Sequence, residues 1–201
     1  MNIKIPDKSE TKAFLEGIKD KRLKAFLITQ YLGAFRISEI SRYTLYYPEK
    51  IIRTKSLTRE QVKITERDGR KILLFSQVRN LKNRGRKTKN IPVSMDGEHT
   101  KSLVRFLLRY IKSLPNNDRY ADGEIFPYTR QYFHMKEKKA IKKWLGYDFH
   151  VLNPLRHIRL THLAVYEKYT DQQLTLFAGW TDSRPAKNYI SMRWDSIIPT
   201  D

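Results

Sequence analysis

The chain has 201 residues, 40% of them apolar, which is enough for one domain with a real core and too many for bulk disorder. Forty Lys and Arg against 21 Asp and Glu leave a formal charge of +19, which calls for a polyanionic partner, nucleic acid before an anionic membrane surface. The absence of cysteine excludes disulfides, thiolate catalysis and Cys-based zinc sites.

Further classes drop out on inspection. No stretch is long and apolar enough to span a bilayer, and Met1–Pro6 lacks the apolar run of a signal peptide, so an intracellular, cytoplasmic protein is expected. The five histidines form no His-Glu-x-x-His pattern and have no carboxylate cluster beside them. The glycines are scattered and make no phosphate loop, so no metal, nucleotide or other cofactor is expected.

In chain order, helices are expected from Ser9 to about Tyr46. Ser9 is placed to cap the first and Asp20 the second, which carries Leu23, Phe26, Leu27, Tyr31 and Leu32. Gly33 loosens the chain before Arg36, and a short third helix carries Ile37, Ile40 and Tyr43. Strands follow. Gln61–Thr65 alternates with period two, Asp68-Gly69 is a hairpin turn, Lys71–Phe75 is the partner strand, and Asn90–Val93 is a third. Between the last two, six of the eleven residues from Arg79 to Lys89 are basic. A charge run is usually a solvated face; here it reads as a projecting hairpin tip suited to a phosphate backbone.

The remainder is helical again. Thr100–Leu114 is strongly amphipathic, with Leu103, Phe106, Leu107, Tyr110 and Ile111 on one side. Thr129 is placed to cap a basic helix that reaches Trp144 and ends at Gly146. Pro154 opens another helix, and Asp171 and Asp182 are placed to cap two short ones. The expected fold class is α+β, mainly α, a single domain over residues 1–201 with a small three-stranded antiparallel sheet.

Three segments carry the chemistry. They are Tyr31-Leu32-Gly33-Ala34-Phe35-Arg36-Ile37-Ser38-Glu39-Ile40, then Asn153-Pro154-Leu155-Arg156-His157 with Thr161-His162-Leu163, then Ala178-Gly179-Trp180 with Asn188-Tyr189-Ile190. In this order they resemble the catalytic domain of the tyrosine recombinases and phage-type integrases, over roughly residues 10 to 193. The resemblance implies a site-specific recombinase that cleaves and rejoins duplex DNA through a 3′-phosphotyrosine, without metal or ATP. It implies that Tyr189 is the nucleophile and that Arg36 and Arg156 clamp the phosphate. Trp180 would add an indole N–H, and Glu39 and His157 would support.

The chemistry suits these residue types. Guanidinium groups reach two phosphate oxygens at once, and nearby positive charge should lower the phenol pKa from about 10. The family also places a general-acid lysine on the β-hairpin. Lys82 fits best, with Lys87 and Lys89 as rivals, and Arg79, Arg84, Arg86, Lys87 and Lys89 are expected to contact DNA. The family's His or Lys three residues before the second arginine is Asn153 here, which acts on the phosphate or simply caps the helix begun by Pro154. The stretch from Tyr43 to Glu60 looks like an insertion. The family's N-terminal core-binding domain is absent, so the chain reads as an excised catalytic domain or a minimal version, viral or archaeal in kind. The resemblance implies a dimer or tetramer on DNA. Its tail, Ser191–Asp201, would dock on a neighbour or fold back. A type IB topoisomerase-like enzyme and a non-catalytic DNA-binding protein are the alternatives.

Overall fold

The computed structural model describes residues 5–46, 51–80, 87–120, 122–148 and 151–195. Asp7, not Ser9, caps α1 (Lys8–Gly17). Its side chain accepts the Glu10 amide at 2.8 Å while the Glu10 carboxylate accepts the Asp7 amide at 2.8 Å, a reciprocal box that Ser9, already the second residue of the helix, cannot make. Asp20 caps α2 (Lys21–Gly33), accepting from Arg22 and Leu23. The run Ala25–Gly33 is buried, so α2 is the central helix and is apolar nearly all round.

The third helix is shorter than expected. α3 (Ile37–Ile40) stops at Ser41, and Tyr43 begins a strand instead of continuing the helix. β1 (Tyr43–Tyr46) pairs antiparallel with β2 (Ile51–Thr54), Tyr43 facing Thr54 and Tyr46 facing Ile51. The aromatic and β-branched residues of both segments favour a pleated ribbon over a helix. The insertion is therefore this hairpin followed by a 3-10 turn at Arg59–Gln61.

The expected sheet is present, in the order β3 (Val62–Arg67), β4 (Arg70–Asn80), β5 (Lys87–Ser94). Asp68 and Gly69 both have positive φ (52° and 71°), as a type I′ hairpin turn requires. The register slips between Phe75 and Val78, where Gln77 takes φ 50° and its amide donates to Asn90 Oδ1 at 2.7 Å. This bulge bends the far half of the hairpin over α3.

α4 (Lys101–Ser113) lays Leu103, Val104 and Leu107 against α2. α5 (Arg130–Leu145) is capped by Thr129 and ends at Gly146 in the left-handed region, as expected. Phe26 stacks on Phe133 with centroids 3.6 Å apart and meets Phe126 edge-on, so truncating Phe26 to Ala should cost about 3–5 kcal/mol. α6 (Pro154–Val165) is buried on almost every side. α7 (Asp171–Ala178) is capped by Thr170, with Asp171 already inside the first turn. Asp182 accepts the Arg184 amide at 3.0 Å at the start of α8 (Arg184–Asp195), which is longer than the short helix expected. Residues 196–201 of the tail lie outside the described residues. No helix among the described residues is long and apolar enough to cross a membrane.

Candidate active site

The end of α2 is built to deliver Arg36. A Cβ on Gly33 would stand 2.0 Å from the Phe35 ring, so only glycine fits there. Ala34 follows at φ 45°, its N–H capping α2 through the carbonyls of Gln30 and Tyr31. The turn leaves Arg36 immediately before α3 and aims the Ala34 carbonyl at α6. The Arg156 guanidinium donates to that carbonyl through Nη1 and to the Ala178 carbonyl through Nη2 at 3.0 Å. Arg156 thus staples α2, α6 and α7 while keeping three of its five N–H donors.

Glu39 is the hub. Its carboxylate accepts the Arg36 amide and Arg36 Nη1, each at 3.0 Å, and Lys89 Nζ at 2.9 Å, and it lies 3.9 Å from Arg156 Nη1. Burial alone would raise the Glu39 carboxyl, but Lys89, Arg156 and Arg36 outweigh it and hold the carboxyl below its ordinary value. Three cations thus share one carboxylate, a local excess of two positive charges in a largely buried site. Burial, with Arg156 and Arg36 adding repulsion against the pull of Glu39, pushes Lys89 down to about 8. Burial, reinforced by Arg36, pushes Arg156 down to about 10, still protonated at neutral pH.

The third segment closes over this cluster. α7 ends at Gly179, φ 69°, where a Cβ would meet Asn80 Nδ2 at 2.8 Å and the Lys89 side chain at 3.1 Å. Asn80 Nδ2 donates to the Gly179 carbonyl at 2.7 Å, locking β4 to this turn. Trp180 then lies against both partners, its ring 5.9 Å from the Arg156 guanidinium and 5.8 Å from the Tyr189 ring at a shallow 23°. The Tyr189 hydroxyl is 3.0 Å from His157 Nδ1. Burial lowers His157 below its ordinary value, so at neutral pH its imidazole is uncharged and able to take a proton. Arg36, Arg156, Trp180, His157 and Tyr189, spread over more than 150 residues of sequence, therefore meet at one place.

Several expectations need correction. The Tyr189 pKa is raised, not lowered: burial of the ring outweighs the downward pull of Arg156 and Arg36 before any substrate is present. Lys89 does not project toward solvent. Its side chain is 5% exposed and ion-paired to Glu39. Arg79 also turns inward, donating to the carbonyls of Ser38 at 2.7 Å and Lys55 at 3.3 Å. Asn153 does not cap α6 with its side chain. It sits at φ 60°, and its Oδ1 accepts the Ile37 amide at 2.9 Å, clipping the start of α6 to the start of α3 beside Arg36. Lys82, Arg84 and Arg86 lie outside the described residues, and Lys87 is described only as the first residue of β5.

The inward turn of Lys89 had a signal in the sequence. Ile91 and Val93 are core residues of β5, and period-two alternation puts Lys89 on their face. His162, a residue of the second motif, is structural. Its Nδ1 meets the Tyr31 hydroxyl at 2.8 Å and its Nε2 the Pro6 carbonyl at 2.7 Å. Among the described residues no group of three or more His, Cys, Asp or Glu is placed to hold a metal ion.

No family model matches the chain. No curated protein matches it either. Among solved structures the fold is similar to that of the XerH site-specific recombinase bound to its difH substrate in a pre-cleavage complex. The TM-score is 0.59 at 15% identity, covering 98% of this chain and 54% of that one. The chain spans about half the length of that recombinase, and the likeness is one of fold.

Proposed function

We propose that this protein is a site-specific DNA recombinase that cuts and rejoins strands through Tyr189. The observation that carries the reading is the Tyr189 hydroxyl held 3.0 Å from an uncharged His157, beside two arginines that share one carboxylate. The fold shared with a site-specific recombinase supports it.

In the proposed reaction a backbone phosphate of duplex DNA enters against Arg36 and Arg156. Their guanidiniums donate to its non-bridging oxygens, where negative charge grows in the transition state. Glu39 sets the two side chains at a fixed separation, and Lys89 keeps Glu39 from drawing them away from the phosphate. His157 takes the proton as the Tyr189 oxygen forms its bond to phosphorus. The bond from phosphorus to the 5′-oxygen breaks, and that oxygen leaves as a hydroxyl after receiving a proton, for which Lys82 is the proposed donor. The 3′-phosphotyrosyl link keeps the bond energy, so attack by a 5′-hydroxyl reverses the step without ATP. The raised Tyr189 pKa fits an enzyme that is idle without substrate, since the free phenol stays protonated until the imidazole removes its proton at the moment of attack. Trp180 contributes its indole N–H to the phosphate, and Asn153 acts chiefly by fixing α3. Exchange between two duplexes requires several protomers on DNA.

The test is a pool of nicked duplexes with randomised sequence around the nick, so that a cleaved strand cannot religate. Wild type should trap a covalent adduct, and Tyr189→Phe should trap none while keeping its affinity. Binding by both proteins with no adduct from either would make this a DNA-binding protein. Relaxation of supercoiled plasmid by a monomer, without site preference, would make it a topoisomerase-like enzyme.

A further inference from the structure

The insertion builds a second feature that the proposed cleavage chemistry does not use. The β1–β2 hairpin is fastened to the first turn of α5 by backbone bonds: the Arg42 amide donates to the Tyr128 carbonyl at 2.9 Å and the Arg130 amide to the Arg42 carbonyl at 3.0 Å. The base is locked again by Arg42, whose Nε donates to Glu124 Oε2 at 3.0 Å. Between hairpin and helix lies an open groove of about 450 Å³, lined by arginine, threonine, tyrosine and glutamine side chains and by no acidic one. Arg42 is neutralised by Glu124, but Arg53 and Arg130 are exposed and have no carboxylate partner among the described residues. Arg130 lies over the Tyr43 ring at 5.7 Å, which holds its guanidinium at the groove. Toward the far end of the ribbon the cross-strand pair Tyr46 and Ile51 is 78% and 63% exposed.

We infer that this groove is a seat for the DNA backbone beside the cleavage site, with Arg53 and Arg130 each on a phosphate and the Tyr46–Ile51 end against the groove wall. The inference rests on the DNA reading above. Charge complementarity selects the occupant: two unpaired guanidiniums with no acid in the lining suit phosphates, and a two-stranded ribbon is of a size that the major groove admits. Reach agrees. Four helical residues and two extended ones put Arg42, at the hairpin's base, no more than about 13 Å from Arg36, within the rise of roughly four nucleotides. Arg79, bonded to the carbonyls of Ser38 and Lys55, fixes the hairpin's exit strand to the α3 segment that holds Arg36. The finger therefore moves with the reactive phosphate's clamp.

The experiment is the salt dependence of binding to a 40-base-pair duplex by wild type and by Arg53→Ala/Arg130→Ala, with adduct formation on the nicked pool read in parallel. Loss of two phosphate contacts should reduce the slope of log K against log salt by about 1.8. The hydroxyl-radical footprint should shorten on one side only, and adduct formation at saturating DNA should be unchanged. An unchanged slope and footprint, with adduct still formed, would overturn the inference and leave the recombinase reading standing. An unchanged slope together with wild-type self-association that the variant abolishes would give the groove to a second copy of the chain. Absence of adduct from wild type would remove the recombinase reading, and the slope difference would still decide the groove. Both residues are exposed, so folding should persist; Arg53→Gln alone, expected to lower the slope by about 0.9, provides the check if the double variant does not fold.

Discussion

Replacing Lys89 with methionine should make the protein more stable and less active. The Lys89 ammonium is buried, and its value falls from 10.5 to about 8 even with Glu39 at 2.9 Å. A depression of that size means the charged form costs about 3 kcal/mol relative to the neutral one. Folded Lys89 loses its proton at a lower pH than the unfolded chain does. Below pH 8 both states hold the proton and the full cost applies. Between 8 and 10.5 the unfolded state binds more protons, so stability rises with pH; above 10.5 the cost is gone. Methionine keeps most of the stem and carries no charge, although its imperfect fit will cost up to about 1 kcal/mol. Methionine also leaves the buried Glu39 carboxylate without the Lys89 hydrogen bond, a loss of about 1–2 kcal/mol, so Lys89→Met should gain about 1 kcal/mol at pH 7 in urea melts, and the gain should turn into a loss as pH rises to 10.5. Cleavage should fall by roughly tenfold to a hundredfold, because Glu39 then pulls Arg36 and Arg156 out of register with the phosphate. A variant that is less stable at pH 7, or whose gain does not shrink as pH rises, would refute the reasoning. It would make Lys89–Glu39 an ordinary stabilising pair.

Other predictions follow the same geometry. Because burial holds His157 below its ordinary value, wild-type cleavage should be level from pH 6.5 to about 8, where Lys89 begins to lose its proton, and should fall at lower pH, and His157→Gln should slow cleavage and flatten the acid limb. Glu137, buried and pushed up to about 8, keeps its proton in the folded state while the unfolded chain loses it from 4.5 upward, so stability drains as pH rises through that window. Glu137→Gln should match wild type at pH 4.5 and exceed it by about 5 kcal/mol above pH 8, measured by urea melts. Gly179→Ala places a methyl against Asn80 and Lys89 at φ 69° and should destabilise by more than about 1 kcal/mol, with reduced adduct formation.

Much of the fold could be read from periodicity and caps. Asp20, Thr129, Gly146 and Pro154 act where their chemistry placed them, and Asp68-Gly69 makes the turn its dipeptide prefers. Asp7 and Glu10 stand three residues apart, the capping-box spacing, and that reciprocal pair prevails over Ser9 as the cap of α1. The strand at Tyr43–Tyr46 is not legible in the sequence because its partner lies across the insertion, and pairing over a loop leaves no mark in a short apolar run. The site's residues were legible as motifs, and the structure brings Arg36, Arg156, Trp180 and Tyr189 together. Their energetics were not legible. That Glu39 gathers three cations, that Lys89 faces inward, and that burial outweighs positive charge at Tyr189 all depend on which groups lose water when remote segments pack.

The most direct test of the central claim is to find where DNA is joined to the protein. After trapping on nicked duplex and nuclease digestion, mass spectrometry of the peptides should place a nucleotide on Tyr189 alone, and Tyr189→Phe should yield no modified peptide. A nucleotide on any other side chain, or an adduct that persists in Tyr189→Phe, would contradict the account.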